Sequence, residues 1–196
     1  MKIKYDSLTG VNEVLLTFDD GPHSTLTPKL LDILKKENIK AMFFVLGLNV
    51  SVNNNIEIVK RAYNEGHIIG NHTYFHRDLR NLTDFEIESE IRNTEEFIKD
   101  YMPAPKPFRP PYGVTNSKIN KIVQKLGYVN VHWNVDTLDW KKKEPNWLEN
   151  VISQIDSREY NVVLMHDAYE STINNVSELI NALKNNKEQY EFIRYM

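Results

Sequence analysis

The chain has 196 residues, of which 41% are hydrophobic, 11% aromatic and 26% charged, the composition of a folded globular protein and not of a disordered one. Lys and Arg total 24 against 27 Asp and Glu, so the net charge of −3 excludes the basic footprint of a nucleic-acid binder or a membrane-surface protein. Cysteine is absent, which excludes a disulfide framework, a thiol nucleophile and a thiolate-bound metal; any metal must sit on His, Asp or Glu.

Met1–Gly10 (MKIKYDSLTG) lacks the apolar stretch of a signal peptide. No run approaches the roughly 18 apolar residues of a membrane span. Val14–Phe18 is a compact apolar strand that stops at Asp19-Asp20-Gly21-Pro22. Leu30, Leu31, Ile33 and Leu34 give the first helical face, and Ala41–Leu46 a second strand. Ile56, Val59 and Tyr63 recur at helical spacing, and His67–Ile69 is a short strand. Thr83-Asp84-Phe85-Glu86 fits a capping box, followed by Ile87, Ile91, Ile98 and Met102 on one face. Pro103–Gly113 (PAPKPFRPPYG) reads as a rigid loop. Ile119, Ile122, Val123 and Leu126 form a helix closed by Gly127, and Tyr128–Val135 reads as one strand. Pro145 opens a helix that runs to Ile155. Val162–Met165 is a strand, Val176–Leu183 a helix, and Phe192-Ile193 a last strand.

Strands and helices alternate along the whole length, which predicts an α/β fold with a mainly parallel sheet. The strands are apolar on both faces, as buried parallel strands are. About seven strand–helix units fit, so a closed or nearly closed barrel competes with an open sheet. There is no internal repeat or linker, and a single domain over residues 1–196 is expected. Lys141-Lys142-Lys143 reads as a solvated loop, and His23 and His67 as structural residues.

The polar residues fall at the carboxyl ends of the predicted strands. Asp19 and Asp20 follow the first, His72 and His76 the third, Asp136 and Asp139 the Tyr128–Val135 segment, and His166 and Asp167 the Val162–Met165 strand; Arg109 lies in the Pro-rich loop. In parallel α/β folds that edge carries the active site. Adjacent carboxylates repel unless a cation or a proton separates them, which suits one Asp as metal ligand and its neighbour as base. Two histidines at i and i+4 have a common zinc spacing, and with one Asp they make a two-His, one-carboxylate set that leaves positions open. His166 has the chemistry of a general acid tuned by a carboxylate, Asp139 or Asp136. Arg109 could pair with a catalytic Asp and keep it ionised.

Taken together, five segments resemble the polysaccharide deacetylase family, the NodB-homology domain of carbohydrate esterase family four. They are Thr17–Pro22 (TFDDGP), His72–His76 (HTYFH), Arg109–Gly113 (RPPYG), Asp136–Trp140 (DTLDW) and Leu164–His166 (LMH), in family order. The resemblance implies a distorted (β/α) barrel of about seven units. It implies one divalent metal, zinc first, with cobalt, nickel or iron as alternatives, on Asp20, His72 and His76. Asp19 is then the general base toward the attacking water, and His166 the acid for the leaving amine. Arg109 orients Asp19, Asp139 tunes His166, and the Tyr112 backbone N–H donates to the oxyanion. Trp140 and Leu164 form the slot for the acetyl methyl group. The implied reaction is removal of N-acetyl groups from N-acetylglucosamine-type residues of chitin oligomers or peptidoglycan. An O-acetyl xylan esterase or a non-sugar amidase on the same site is the alternative, and a non-catalytic carbohydrate-binding protein the remaining one. The implied partner is a carbohydrate polymer, acted on at the cell surface or outside the cell. Without a leader in the chain, a cytoplasmic location competes.

Overall fold

A computed structural model describes residues 12–141, 147–155, 160–185 and 190–192. Met1–Gly10, Lys142, Lys143, Pro145 and Ile193, which figure in the reading above, lie outside the described residues. The elements in order are β1 (Asn12–Asp19), α1 (Leu26–Glu37), β2 (Met42–Val45), α2 (Gly47–Ser51), α3 (Ile56–Asn64) and β3 (Ile68–Asn71). Then come α4 (Asp84–Ile98), β4 (Lys106–Phe108), α5 (Ser117–Lys125), β5 (Tyr128–Asn130) and β6 (Val135–Asp136). The last are α6 (Trp147–Gln154), β7 (Tyr160–His166), α7 (Glu170–Asn185) and β8 (Tyr190–Phe192).

One sheet runs in the order β5-β4-β3-β2-β1-β7-β6, with β8 paired to the start of β1. Every ladder among the described residues is parallel, as the alternation of elements requires. β5 and β6 are the two ends of that path, yet only residues 131–134 separate them. Seven strands laid flat at ~4.8 Å spacing would put the ends ~29 Å apart. Five Cα steps reach at most ~18 Å. The sheet therefore curls into a distorted (β/α) barrel, and the chain itself bridges the seam between β5 and β6.

β1 shows how the sequence fills the two faces. Val14, Leu16 and Phe18 pack with α1 and α7 residues such as Leu30, Leu34, Leu179 and Leu183 in the main outer core. Leu15, one residue out of phase, joins Met42, Phe44, Ile68 and Val131 in a second cluster inside the curl. Thr17 and Asp19 continue that inner row, both buried, so the interior becomes polar toward the carboxyl ends of the strands. A third cluster joins Ile87 and Ile91 of α4 to Phe108, Ile119, Val123 and Tyr128. The Thr83–Glu86 capping box forms as expected, with Thr83 Oγ1 accepting from the Glu86 N–H and Glu86 Oε2 from the Thr83 N–H.

Three sequence expectations need correction. Tyr128–Val135 is not one strand: the chain leaves β5 after Asn130 and rejoins the sheet at its other edge, as β6. The crossing is pinned at both ends, Val131 N donating to Phe108 O (2.8 Å) and Asn134 N to Val162 O (3.2 Å). The Pro-rich segment contains β4, despite Pro107 in its middle. Gly70 on the neighbouring strand leaves the space, since a Cβ there would lie 3.2 Å from the Pro107 carbonyl. Finally, the sequence reading places no element between the Ala41–Leu46 strand and Ile56, yet Gly47–Ser51 is a short helix, α2.

Candidate active site

The strand ends bring the motif residues together. Asp19 and His166 are register partners on adjacent strands, β1 and β7. His72 follows Asn71, the end of β3, and Arg109 follows Phe108, the end of β4, and those two terminal residues are themselves partners. Asp139 comes three residues after β6.

Asp19 and Arg109 form a buried ion pair. Arg109 is wholly buried, its guanidinium 4.2 Å over the Phe44 ring. It donates through Nη1 to Asp19 Oδ1 (2.7 Å) and Thr17 Oγ1 (2.8 Å), and through Nε to Val131 O (2.9 Å). Burial pushes the Asp19 carboxyl above its ordinary value, and the Arg109 and His166 charges pull it back only part of the way. With Oδ1 committed to Arg109, Asp19 Oδ2 lies 3.7 Å from His72 Nε2.

A second set has the donors to hold a cation. Asp20 Oδ1 lies 3.5 Å from both His72 Nε2 and His76 Nε2, and the three ligand atoms lie within 4.8 Å of one another. Ligands at ~2.1 Å around a tetrahedral ion stand about 3.4 Å apart. Asp20 Oδ1 is buried and has no hydrogen-bond partner, so the site already contains an orphaned acceptor. His72 Nδ1–H donates to the Arg109 carbonyl (2.7 Å), which can only accept, so the Nε2 lone pair is left to face Asp20. Burial pushes the His72 pKa down to about 3, with the His76 and Arg109 charges adding to the effect, and the neutral imidazole is the ligating form. These residues fit a divalent metal.

The third group pairs His166 with Asp139. His166 Nδ1–H donates to Asp139 Oδ1 (2.7 Å), while Asp139 Oδ2 accepts from the His166 backbone N–H (2.7 Å) and Thr172 Oγ1 (2.5 Å). Burial works against the imidazolium, yet the Asp139 hydrogen bond and charge, with Asp19 and Asp20, outweigh it and hold His166 at about 9. Asp136, the other candidate partner, accepts instead from the Leu138 N–H (2.9 Å) and shapes the turn.

The remaining predicted residues are Tyr112, Leu164 and Trp140. Tyr112 has φ of 59° and its ring lies 4.6 Å from that of His76. Leu164 is buried and pairs in register with Asp136, whereas Trp140 is 46% exposed. Five of the eight described non-glycine residues at positive φ fall in these segments: Asp20, Thr73, His76, Tyr112 and Leu138. Such backbone costs about 1–3 kcal/mol per residue and persists only where the surroundings over-determine it. Two glycines admit close approach here. A Cβ at Gly21 would collide with the Asp167 carboxylate, and one at Gly113, itself at φ 67°, would lie 2.6 Å from the Trp133 ring. His23 and His67 are structural, as expected: His23 Nδ1 accepts from the Leu26 N–H (3.2 Å) at the start of α1, and His67 Nδ1 from the Ala41 N–H (3.1 Å).

Sequence reasoning missed Thr17, Thr172 and Glu90. Glu90 carried a visible signal, since it falls on the apolar α4 stripe one turn after Ile87, where a carboxylate needs a reason.

The comparisons with known proteins agree with this geometry. A family model described as polysaccharide deacetylase matches residues 7–131, which hold the first three motifs and stop before Asp136–Trp140 and Leu164–His166. A peptidoglycan-N-acetylglucosamine deacetylase of Bacillus cereus is 46% identical over 139 residues, covering 70% of this chain and 50% of its own length. The chain thus spans about half of that relative. A chitooligosaccharide deacetylase of Bradyrhizobium is 34% identical over 84% of this chain and 75% of its own. Among solved structures, the Bc1960 peptidoglycan N-acetylglucosamine deacetylase in complex with a naphthalenyl N-oxidanyl-benzamide superposes with a TM-score of 0.82 at 36% identity, over 96% of this chain and 87% of that one.

Proposed function

Because the chain belongs to the polysaccharide deacetylase family, we propose that it hydrolyses N-acetyl groups on N-acetylglucosamine residues of a β-linked glycan, peptidoglycan or chitin oligomers. The observation that carries this reading is the Asp20–His72–His76 cluster flanked by a buried carboxylate–arginine pair and a carboxylate–histidine pair. The names of the relatives supply the substrate class.

Asp20, His72 and His76 hold a divalent ion in this reading, zinc before cobalt, nickel or iron, which supplies Lewis-acid polarisation of the amide carbonyl and a more acidic water. Every other task falls to the chain. Arg109 fixes Asp19 by one oxygen, and the other oxygen, on the His72 side, takes the proton of the attacking water. The Tyr112 N–H donates to the developing oxyanion, a contribution whose loss typically costs about 100- to 1000-fold in rate. His166 enters the reaction protonated, because Asp139 stabilises the imidazolium, and it delivers that proton to the leaving nitrogen. An acid with a pKa of about 9 is matched to an amine leaving group, which cannot depart as an anion. Trp140 and Leu164 bound the slot for the acetyl methyl.

The test is acetate release, with zinc supplied, from N-acetylglucosamine oligomers and from peptidoglycan, with O-acetylated xylan alongside. Release from either N-acetylated glycan supports the reading. Release from xylan alone makes the protein an esterase, and release from none of them refutes deacetylation of these glycans.

A further inference from the structure

We propose that Glu90, on α4, is a positioning residue for the cation site, setting its affinity by clamping the loop that carries His76. The proposal rests on the metal-site reading above. The loop from His72 to His76 leaves the sheet with two non-glycine residues in the left-handed region, Thr73 at φ 73° and His76 at φ 56°. Something must hold that backbone, and its N–H groups show what does. Thr73 N–H donates to Asn71 Oδ1 (2.9 Å), at the end of β3, and His76 N–H to Thr73 Oγ1 (3.2 Å), within the loop. The two central groups, Tyr74 N–H and Phe75 N–H, donate to one atom from elsewhere in the chain, Glu90 Oε2 (2.9 and 2.8 Å). The carbonyls of Thr73 and Tyr74 accept from the Gly47 and Leu48 N–H groups (3.0 and 3.1 Å), so α2 holds the opposite side.

Glu90 is 3% exposed, and its second oxygen accepts from Arg77 Nε (2.9 Å), just past His76. The carboxylate therefore grips the loop on both sides of the ligand. His72 needs no such help, because it extends β3 and its ring is fixed by the Arg109 carbonyl. His76 is the ligand that depends on the loop, and Asp20 Oδ1 at 3.5 Å is the distance the clamp maintains.

The experiment compares zinc affinity, by chelator competition on folded protein, in the parent chain and in Glu90→Ala, Glu90→Gln, Glu90→Asp and Arg77→Ala. Outer groups that orient metal ligands typically contribute about 10- to 100-fold in affinity, and that loss is expected for Glu90→Ala. Glu90→Gln should retain near-parental affinity, because one amide oxygen can still accept both loop N–H groups. Arg77→Ala removes one of the two grips but leaves Oε2 in place, so it should lose less affinity than Glu90→Ala. Glu90→Asp keeps the charge but withdraws the oxygens by about 1.5 Å, and it should lose affinity; it decides the matter if Glu90→Ala does not fold. A general loss of packing would lower the urea midpoint of Glu90→Ala without changing the zinc affinity of its folded form. Parental zinc affinity in folded Glu90→Ala or Glu90→Asp overturns the clamp while leaving the deacetylase reading intact. A loss in Glu90→Gln equal to that in Glu90→Ala overturns it too. A parent chain that binds no zinc overturns the metal site itself, and the clamp with it.

Discussion

Asp139→Asn isolates the charge that tunes the proposed acid. Asp139 Oδ2 accepts from the His166 backbone N–H and from Thr172 Oγ1, so the oxygen of the replacement amide is retained at that position. Its NH2 group then faces His166 Nδ1, where Asp139 Oδ1 now accepts at 2.7 Å. A donor facing a donor excludes the imidazolium and favours the neutral ring with its proton on Nε2. Burial already lowers the pKa, so without the Asp139 contribution it should fall from about 9 to the ordinary 6.5 or below. Each unit is worth about 1.4 kcal/mol, so the differential interaction lost is on the order of 3 kcal/mol. At pH 8 the protonated fraction falls from about nine-tenths to about 3%, an expected loss of about 30-fold in acetate release. The basic limb of the pH–rate profile should move down with it, as should the His166 ring titration followed by NMR at matched metal content. The raised pKa also makes His166 a source of stability that is complete below pH 6.5 and lost as pH rises through about 9. That decline should vanish in the variant. A basic limb and a His166 titration that stay near 9 in Asp139→Asn would refute the assignment.

Three further outcomes are expected. Asp19→Asn should cut turnover by about 100- to 10,000-fold while metal content, measured by elemental analysis, stays at the parental level, because Asp20, His72 and His76 are untouched; loss of the metal would contradict the division of roles. Gly113→Ala should destabilise by about 1–3 kcal/mol in urea unfolding, since its φ of 67° disfavours a side chain and the Cβ meets Trp133; an unchanged midpoint would show that the ring yields freely. Burial, reinforced by the Lys40 charge, lowers His67 to about 4, so stability should fall as pH drops from 6.5, where the unfolded chain protonates, to about 4. NMR should show a neutral His67 ring at pH 5, and a charged one there would overturn this account.

Much of the fold was legible because a parallel α/β chain writes its elements one after another. Val14–Phe18, apolar but for Thr17, and Val162–Met165 each end in the polar residue that the sheet edge presents. The failures came where tertiary contacts override local pattern. β4 is three residues long and contains a proline, and only its neighbours make it a strand. Tyr128–Val135 alternates Val129, Val131, Trp133 and Val135 with Asn130, His132 and Asn134, the pattern of one strand, yet it divides because the curled sheet needs its ends joined by a short crossing. In the site, the residues proposed as ligands, base and acid stood in recognisable motifs. Their supports did not, because Thr172 and Glu90 act from helices remote in sequence, and only the folded chain brings their side chains to bear.

Arg109 is connected to the site in two independent ways. Its carbonyl accepts from His72 Nδ1, and its guanidinium donates to Asp19. The first connection belongs to the main chain and survives any side-chain replacement that keeps the backbone path; the second belongs to the side chain alone. A descendant of this protein that exchanged the arginine for a smaller residue would keep a correctly protonated histidine facing Asp20. It would also leave Asp19 buried without its counter-ion, free to take up a proton. On the proposed reading, such a chain would keep its cation site and lose its base. The order of loss is then set in advance: the base goes first and the cation site last.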